Sequence, residues 1–399
     1  MRRITALLVA AGLVAGACGG GTGPSAQATS AAPTTAAKPI KLGAILPLTG
    51  PSAATGQDMK DGYELAREQI NAAGGVKGAP VEVVYEDDKN DPATAVGSFE
   101  KLVNSEKVEV LMGGLASTIT AALIEPAKKA QVPMAWTGAA ATTVEKGFEG
   151  QDWFFHYHPW EYQNAESGLA FLKSTPYKKF AIAHEDGLFG KGGADLNKAA
   201  LPQQGQEVVA TEAFKTGSTD FTALLNRLKA SGAEAFLVVP FAGDMIPMLT
   251  QMREIGWQPK LIYASPPSFP PNFGQSPVAE GVAGLTLWTT DIPAEASKKF
   301  VADFQKKYSK PPVSYWSALA YTNLVTVADA LKKSGTGNKA AWIKAMEETN
   351  YASPIGPTLK FAPSQTIKHQ GFTRLVSFQW QGGKQQIVFP SELATAKLK

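Results

Sequence analysis

The chain has almost no cysteine: one residue, Cys18, in 399. A single thiol forms no internal disulfide, so the folded body must draw its stability from core burial. Charge is modest, with 18% charged residues and a formal net charge of +3. No basic run offers a footprint for nucleic acid. No apolar stretch reaches the ~18 residues that a membrane span needs, and Ile4 to Ala17 falls short of it. Catalytic motifs are missing as well: no G-x-S-x-G elbow and no P-loop occur. The glycine-rich Gly74-Gly75-Val76-Lys77-Gly78 follows a helical pattern. A dinucleotide loop must follow a strand, so this segment is not one. These absences argue against an enzyme and call for no cofactor.

What is present begins at the N-terminus. Arg2 and Arg3 precede the apolar run Ile4 to Ala17, and the small residues Ala15, Gly16 and Ala17 lead into Cys18. A charged start, a short apolar core and a small-residue cleavage site make a secretory signal over residues 1–17. Residues 18–38 are, apart from Cys18, Gln27 and Lys38, all Gly, Ser, Ala, Thr and Pro, with no large apolar side chain. They bury too little surface to fold, and about 20 residues of such coil span roughly 25 Å. Without the signal about 380 residues remain, more than a single core usually supports, so two lobes are expected.

The body opens at Ile40 with a strand-like run, IKLGAILPL, and a Gly/Pro/Ser loop. A helix follows with Met59, Tyr63, Ala66 and Ile70 on one face, ended by Gly74-Gly75. Strands at Val81, Val108 and Pro133 alternate with helices from Pro92 and about Ser117. This βα alternation implies a parallel sheet with helices on both faces. The pattern then repeats, with strands FAIAHED, EVVATEAF, AFLVVPF and LIYAS. The helix carrying Phe221, Leu224, Leu225 and Leu228 is expected to be capped by Ser218, Thr219 or Asp220. The tail adds a strand near Gly284, helices near 296–308, 315–333 and 338–348, and a hairpin turning at Gln381-Gly382-Gly383-Lys384. Ligands in open parallel sheets bind beyond the carboxyl ends of strands at the switch point. The loops after VEVLMGG, PMAWTG, FAIAHED and AFLVVPF are therefore the places for a site.

Two resemblances sharpen this. The small residues before Cys18 resemble the lipobox of bacterial lipoproteins, although Ala15 stands where Leu or Val is preferred. That likeness implies a lipidated Cys18, an exported body and a membrane contact through lipid alone. From about Pro39 onward the chain resembles the branched-chain amino acid (leucine/isoleucine/valine-binding-like) periplasmic binding proteins that serve ABC transporters. The residues that carry the likeness are PLTG, INAAGGVKG, DDKNDPATA, GGLASTIT, VPMAWTGAAATT, AHEDGLFGKGG and STDFTALLNRLKASGAEAFLVV. It implies an α/β type I periplasmic binding protein fold: two doubly wound, Rossmann-like lobes joined by three hinge crossovers. The expected boundaries are 39–158 plus 290–360 for the first lobe and 159–289 plus 361–399 for the second. A monomer is expected that captures a small ligand and delivers it to a membrane permease.

Ser117 and Thr118 open a helix after a strand, where backbone N–H groups and a hydroxyl suit a carboxylate. Ser117 is also readable as a plain helix cap. Ala139 and Ala140 follow the next strand and offer backbone contacts. Phe189 stands where many relatives have Tyr, and Phe241 ends a strand; both are candidate walls of the cleft. The segment FHYHPWEY holds two readings: hinge packing, or an aromatic wall built from Trp160, Tyr162 or Tyr157. Its His156 and His158 sit two apart, as a metal pair would, yet no third ligand is evident, and no metal is expected.

Relatives that bind leucine-like amino acids carry a Glu, partner to the ligand ammonium, in the loop after the LIYAS-like strand. Here Ala264-Ser265-Pro266-Pro267-Ser268 has no acid. A buried ammonium without a counter-charge is unfavourable, so Asp186, Asp244, Glu161 or Glu185 must replace that Glu, or the ligand lacks the ammonium. The expected ligand is an amino acid or an aromatic or aliphatic carboxylate. A ligand-sensing receptor component of the same fold is the alternative reading.

Overall fold

Apolar runs of four to eight residues between Gly- and Pro-containing loops become strands, and 3.6-period segments become helices that cover them. The computed structural model describes residues 37–264, 269–270 and 272–399. Cys18, the expected signal, most of the tether and the acid-free segment 265–268 lie outside the described residues.

The first lobe contains β1 (Ile40–Leu46), α1 (Ala53–Ala72), β2 (Val81–Asp87), α2 (Pro92–Glu100), β3 (Leu111–Gly113), α3 (Ser117–Ala130), β4 (Met134–Trp136), α4 (Thr142–Gly147) and β5 (Phe154–His156). The second contains α5 (Glu161–Ser174), β6 (Lys179–Glu185), α6 (Leu188–Ala200), β7 (Glu207–Phe214), α7 (Thr222–Ala230), β8 (Ala235–Val239), α8 (Ala242–Glu254), β9 (Leu261–Ala264) and β10 (Ala283–Thr286). The chain then returns to the first lobe with α9 (Glu295–Tyr308), α10 (Tyr315–Ser334) and α11 (Lys339–Glu347). A small ladder of β11 (Tyr351–Ala352) and β12 (Thr358–Leu359) follows, then β13 (His369–Gln370), β14 (Val376–Gln381) and β15 (Lys384–Phe389).

The first sheet runs β13-β5-β4-β3-β1-β2 and is parallel throughout. The second runs β15-β14-β10-β9-β8-β6-β7, parallel except at β14, which pairs antiparallel with both β10 and β15. Strands buried on both faces read as continuous apolar runs, as all five buried residues of β8 show. Each sheet reverses direction once, between β1 and β3 and between β6 and β8. Those reversals open crevices at the carboxyl ends of the strands.

Three details differ from the sequence reading. β13 joins the first sheet, so the last passage between sheets falls beyond residue 370, not at 360. A two-residue strand leaves no alternation to read. The N-cap of α7 is Phe221; Asp220 Oδ1 accepts the Thr222 N–H at 2.9 Å without capping. The short α4 carries too little periodicity to be visible in the sequence. The β14–β15 hairpin turns on Gly382 and Gly383, whose φ of 59° and 78° suit a tight primed turn.

Candidate ligand-binding site

The loops that leave the two switch points meet in one place. Leu115 follows β3, Ala139 and Ala140 follow β4, Phe189 opens α6 after β6, and Phe241 precedes α8 after β8. With His158, Tyr315 and Trp316 they line a cavity of about 30 Å³ between the two sheets. That is room for one water molecule, so a larger ligand enters only as the lobes part or the rings turn.

The walls are aromatic. Phe189 and Phe241 approach from the second lobe with ring centroids 5.7 Å apart. From the first lobe, Trp316 stacks on His158 at 5.2 Å and 6° and lies against Tyr315 at 4.7 Å. Tyr315 and Trp316 are the first residues of α10. Buried Asp58 on α1 holds that helix start, accepting the Ser314 Oγ–H at 2.5 Å and the Ser317 N–H at 3.3 Å.

Ala139 has φ 70°, a left-handed conformation uncommon outside glycine. It is held there by its own N–H to Leu115 O at 2.9 Å and by buried His156. The His156 Nε2 lies 2.8 Å from Gly138 O and 3.0 Å from Ala139 O, so it must donate. Burial lowers the His156 pKa to about 3, which keeps the ring neutral. The ring beneath the turn thus fixes this wall of the cavity.

His158 is committed too. Its Nδ1 lies 2.8 Å from Pro159 O and its Nε2 3.0 Å from the Tyr315 hydroxyl. His158 thus spends both ring nitrogens on protein partners, while His156 spends only its Nε2 and keeps a buried, unpartnered Nδ1.

The sequence candidates separate into two groups. Ala139, Ala140, Phe189 and Phe241 line the cavity; Ser117, Thr118 and Trp160 do not. Ser117 is buried at the first position of α3, behind the N-cap Ala116, and its Oγ accepts the Ala141 N–H at 3.1 Å. Its hydroxyl ties two cavity loops together and caps no helix. Thr118 Oγ1 accepts the Leu188 N–H at 3.2 Å, joining α3 of one lobe to α6 of the other. Trp160 is fully buried and stacks on His156 at 3.8 Å, behind the cavity wall. Tyr157 is buried with its hydroxyl 2.7 Å from Thr326 Oγ1, and Tyr162 donates to Glu145 Oε1 at 3.3 Å. The wall comes from α10 instead. The sequence signal was Tyr315-Trp316, a bulky aromatic pair at a helix start where surface residues are usually polar.

None of the four candidate acids lines the cavity. Glu185 accepts the N–H groups of Gly187 and Gly190, each at 2.5 Å, and the Thr216 hydroxyl at 3.1 Å. Asp186 accepts the Thr216 N–H at 3.2 Å. Glu161 Oε1 accepts the Thr142 N–H at 2.8 Å, and burial raises its pKa. Asp244 Oδ2 accepts the Phe241 N–H at 2.8 Å, and burial raises its pKa to about 6. Each acid satisfies loop or helix N–H groups of its own neighbourhood.

Known proteins share this architecture. The Leu/Ile/Val-binding protein homolog 7 of Brucella abortus (strain 2308) is 25% identical over 399 residues, covering 94% of this chain and 97% of its own. The branched-chain amino acid transporter substrate binding protein LivJ from Streptococcus pneumoniae, solved with isoleucine, superimposes with a TM-score of 0.76 at 26% identity. That match covers 87% of this chain and 97% of LivJ. A solute binding protein of an ABC transporter from R. palustris, solved with benzoate, gives a TM-score of 0.79 at 20% identity, covering 90% and 100%. Residues 39–385 match the family model described as periplasmic binding protein, and with its two doubly wound lobes the chain belongs to that family in the type I fold.

Proposed function

We propose that this protein is an exported, lipid-tethered solute-binding protein of an ABC importer, and that it captures a small carboxylate with an apolar or aromatic body. The observation that carries this reading is the lining of the cavity: aromatic and apolar side chains from both lobes and, among the described residues, no acid. A free amino acid would bury its ammonium there without a counter-charge, which is strongly unfavourable. Leu115, which lines the cavity, leads directly into the amino end of α3, whose N–H groups and dipole favour an anion such as a carboxylate. Aromatic walls supply stacking and apolar burial. LivJ holds isoleucine and the R. palustris protein holds benzoate, so both ligand classes occur on this fold. The acid-free lining favours the second.

Ligand seated between lobes stabilises the closed form, and the closed form docks on a permease. Cys18 and the coil that follows it supply the tether. The test is a thermal-shift panel of benzoates, short-chain carboxylates and amino acids, since binding to the folded form raises the melting temperature by mass action. Benzoates and apolar carboxylates should raise it. A rise confined to leucine-like amino acids would overturn this assignment.

A further inference from the structure

The cavity has one polar end, where His158 meets Tyr315. The proton positions there follow from geometry. Pro159 O is a carbonyl and only accepts, so the His158 Nδ1 at 2.8 Å carries a hydrogen. Nothing acidic lines this end. Burial lowers the His158 pKa to about 4 and holds the Tyr315 phenol far above its usual range. Both groups are therefore neutral at pH 7. The His158 Nε2 is then bare, and the Tyr315 hydroxyl 3.0 Å away must donate to it. With its only proton engaged, the Tyr315 oxygen retains nothing but acceptor capacity. Among the hydrogen bonds of the described residues, His158 is the partner of that hydroxyl.

We infer that the His158–Tyr315 pair makes this end of the site an obligate acceptor, so that the preferred ligand carries a neutral hydrogen-bond donor, a hydroxyl or amide N–H, on its apolar body. The inference rests on the reading of the cavity as the ligand site and narrows the ligand class to hydroxylated or amide-bearing carboxylates. A ligand that presents only an acceptor here sets lone pair against lone pair. A ligand with no polar group leaves the Tyr315 oxygen buried without a partner. The stacking of His158 on Trp316 holds the ring in this orientation, so the pair cannot readily turn to offer a donor.

The test is calorimetric titration of the full chain with 3- and 4-hydroxybenzoate, the matching methoxybenzoates and benzoate. A hydroxybenzoate should bind about tenfold or more tightly than its methoxy counterpart, the scale of one hydrogen bond gained against one repelled. In the double variant His158→Phe/Tyr315→Phe, which removes both the phenol oxygen and the bare His158 Nε2 behind it, that ratio should fall to within about twofold of one. In His158→Phe, which keeps an aromatic ring against Trp316, the Tyr315 proton is released and the methoxy compounds should gain on the hydroxy ones. Equal binding of hydroxy and methoxy ligands by the unmodified protein, or a preference that survives the double variant, would overturn the inference and leave the carboxylate reading intact. Binding of leucine-like amino acids with no benzoate binding would overturn both. Should the double variant fail to fold, the ratio in His158→Phe decides, since an unchanged preference there contradicts the proton assignment.

Discussion

Ser117 and Trp160, both sequence candidates for ligand contact, lie outside the cavity lining for different reasons. Ser117 is the buried link between the β3 and β4 loops. Ser117→Ala leaves the Ala141 N–H without its acceptor and removes a hydroxyl beside the amino end of α3. It should weaken carboxylate binding by roughly 1–2 kcal/mol, read by calorimetry; unchanged affinity would detach Ser117 from the site. Trp160→Ala should act on stability instead. Removing a fully buried ring stacked on His156 should cost about 3–5 kcal/mol in denaturant unfolding. A near-neutral change would contradict its packing role.

Asp58 gives a pH test at the same scale. Burial raises its pKa to about 7 against an ordinary value of 3.8. The folded state therefore holds a proton that the unfolded state has released over this window. Its contribution is full below about pH 4 and is lost as pH rises through about 7. Asp58→Asn keeps an acceptor for the Ser317 N–H and removes the titration. Relative to the unmodified protein, the variant should gain stability steadily from pH 4 to 8, by on the order of a few kcal/mol. Melting curves across that range check it; a pH-independent difference would show that Asp58 does not titrate there.

Among the elements, the contacts that join the lobes are few and close. Thr118 of α3 accepts from Leu188 of α6. Pro51, in the loop after β1, sits against both Gly217 and Gly243 of the second lobe. A Cβ on Gly243 would lie 2.8 Å from Pro51 O, and one on Gly217 2.9 Å from Pro51 Cγ. Glycine at these positions lets two loops meet face to face. Gly243→Ala should therefore prop the lobes apart. Ligand affinity should fall about tenfold with little change in melting temperature, and the radius of gyration with ligand should stay at its ligand-free value. Normal compaction on binding would show that these contacts do not gate closure.

Much of this was legible in the sequence because βα units announce themselves. Strand runs such as AFLVV and amphipathic faces such as Met59, Tyr63 and Ile70 carry strong local periodicity, and their order dictates parallel sheets. The loops after β3, β4, β6 and β8 follow from the switch-point rule alone, hence Ala139, Ala140, Phe189 and Phe241. Tyr315, Trp316 and His158 did not follow from it. His158 follows β5 directly, but Tyr315 and Trp316 meet it from a helix that returns to the first lobe more than a hundred residues later, and sequence spacing does not encode that approach. The pairing of His156 with the strained Ala139 turn was hidden for the same reason.

For the whole molecule, the account stands on one claim about charge: two lobes close on a ligand whose ammonium, if it had one, would meet no acid. Leucine and 4-methylpentanoate isolate that claim, since they differ only in the α-ammonium group. Phenylalanine and 3-phenylpropanoate form a second such pair. The deciding measurement is calorimetric affinity for each pair on the same preparation. The account predicts that each des-amino acid binds about tenfold or more tightly than its amino acid. Tighter binding of leucine or phenylalanine would contradict it and show that a carboxylate outside the present lining reaches the ligand.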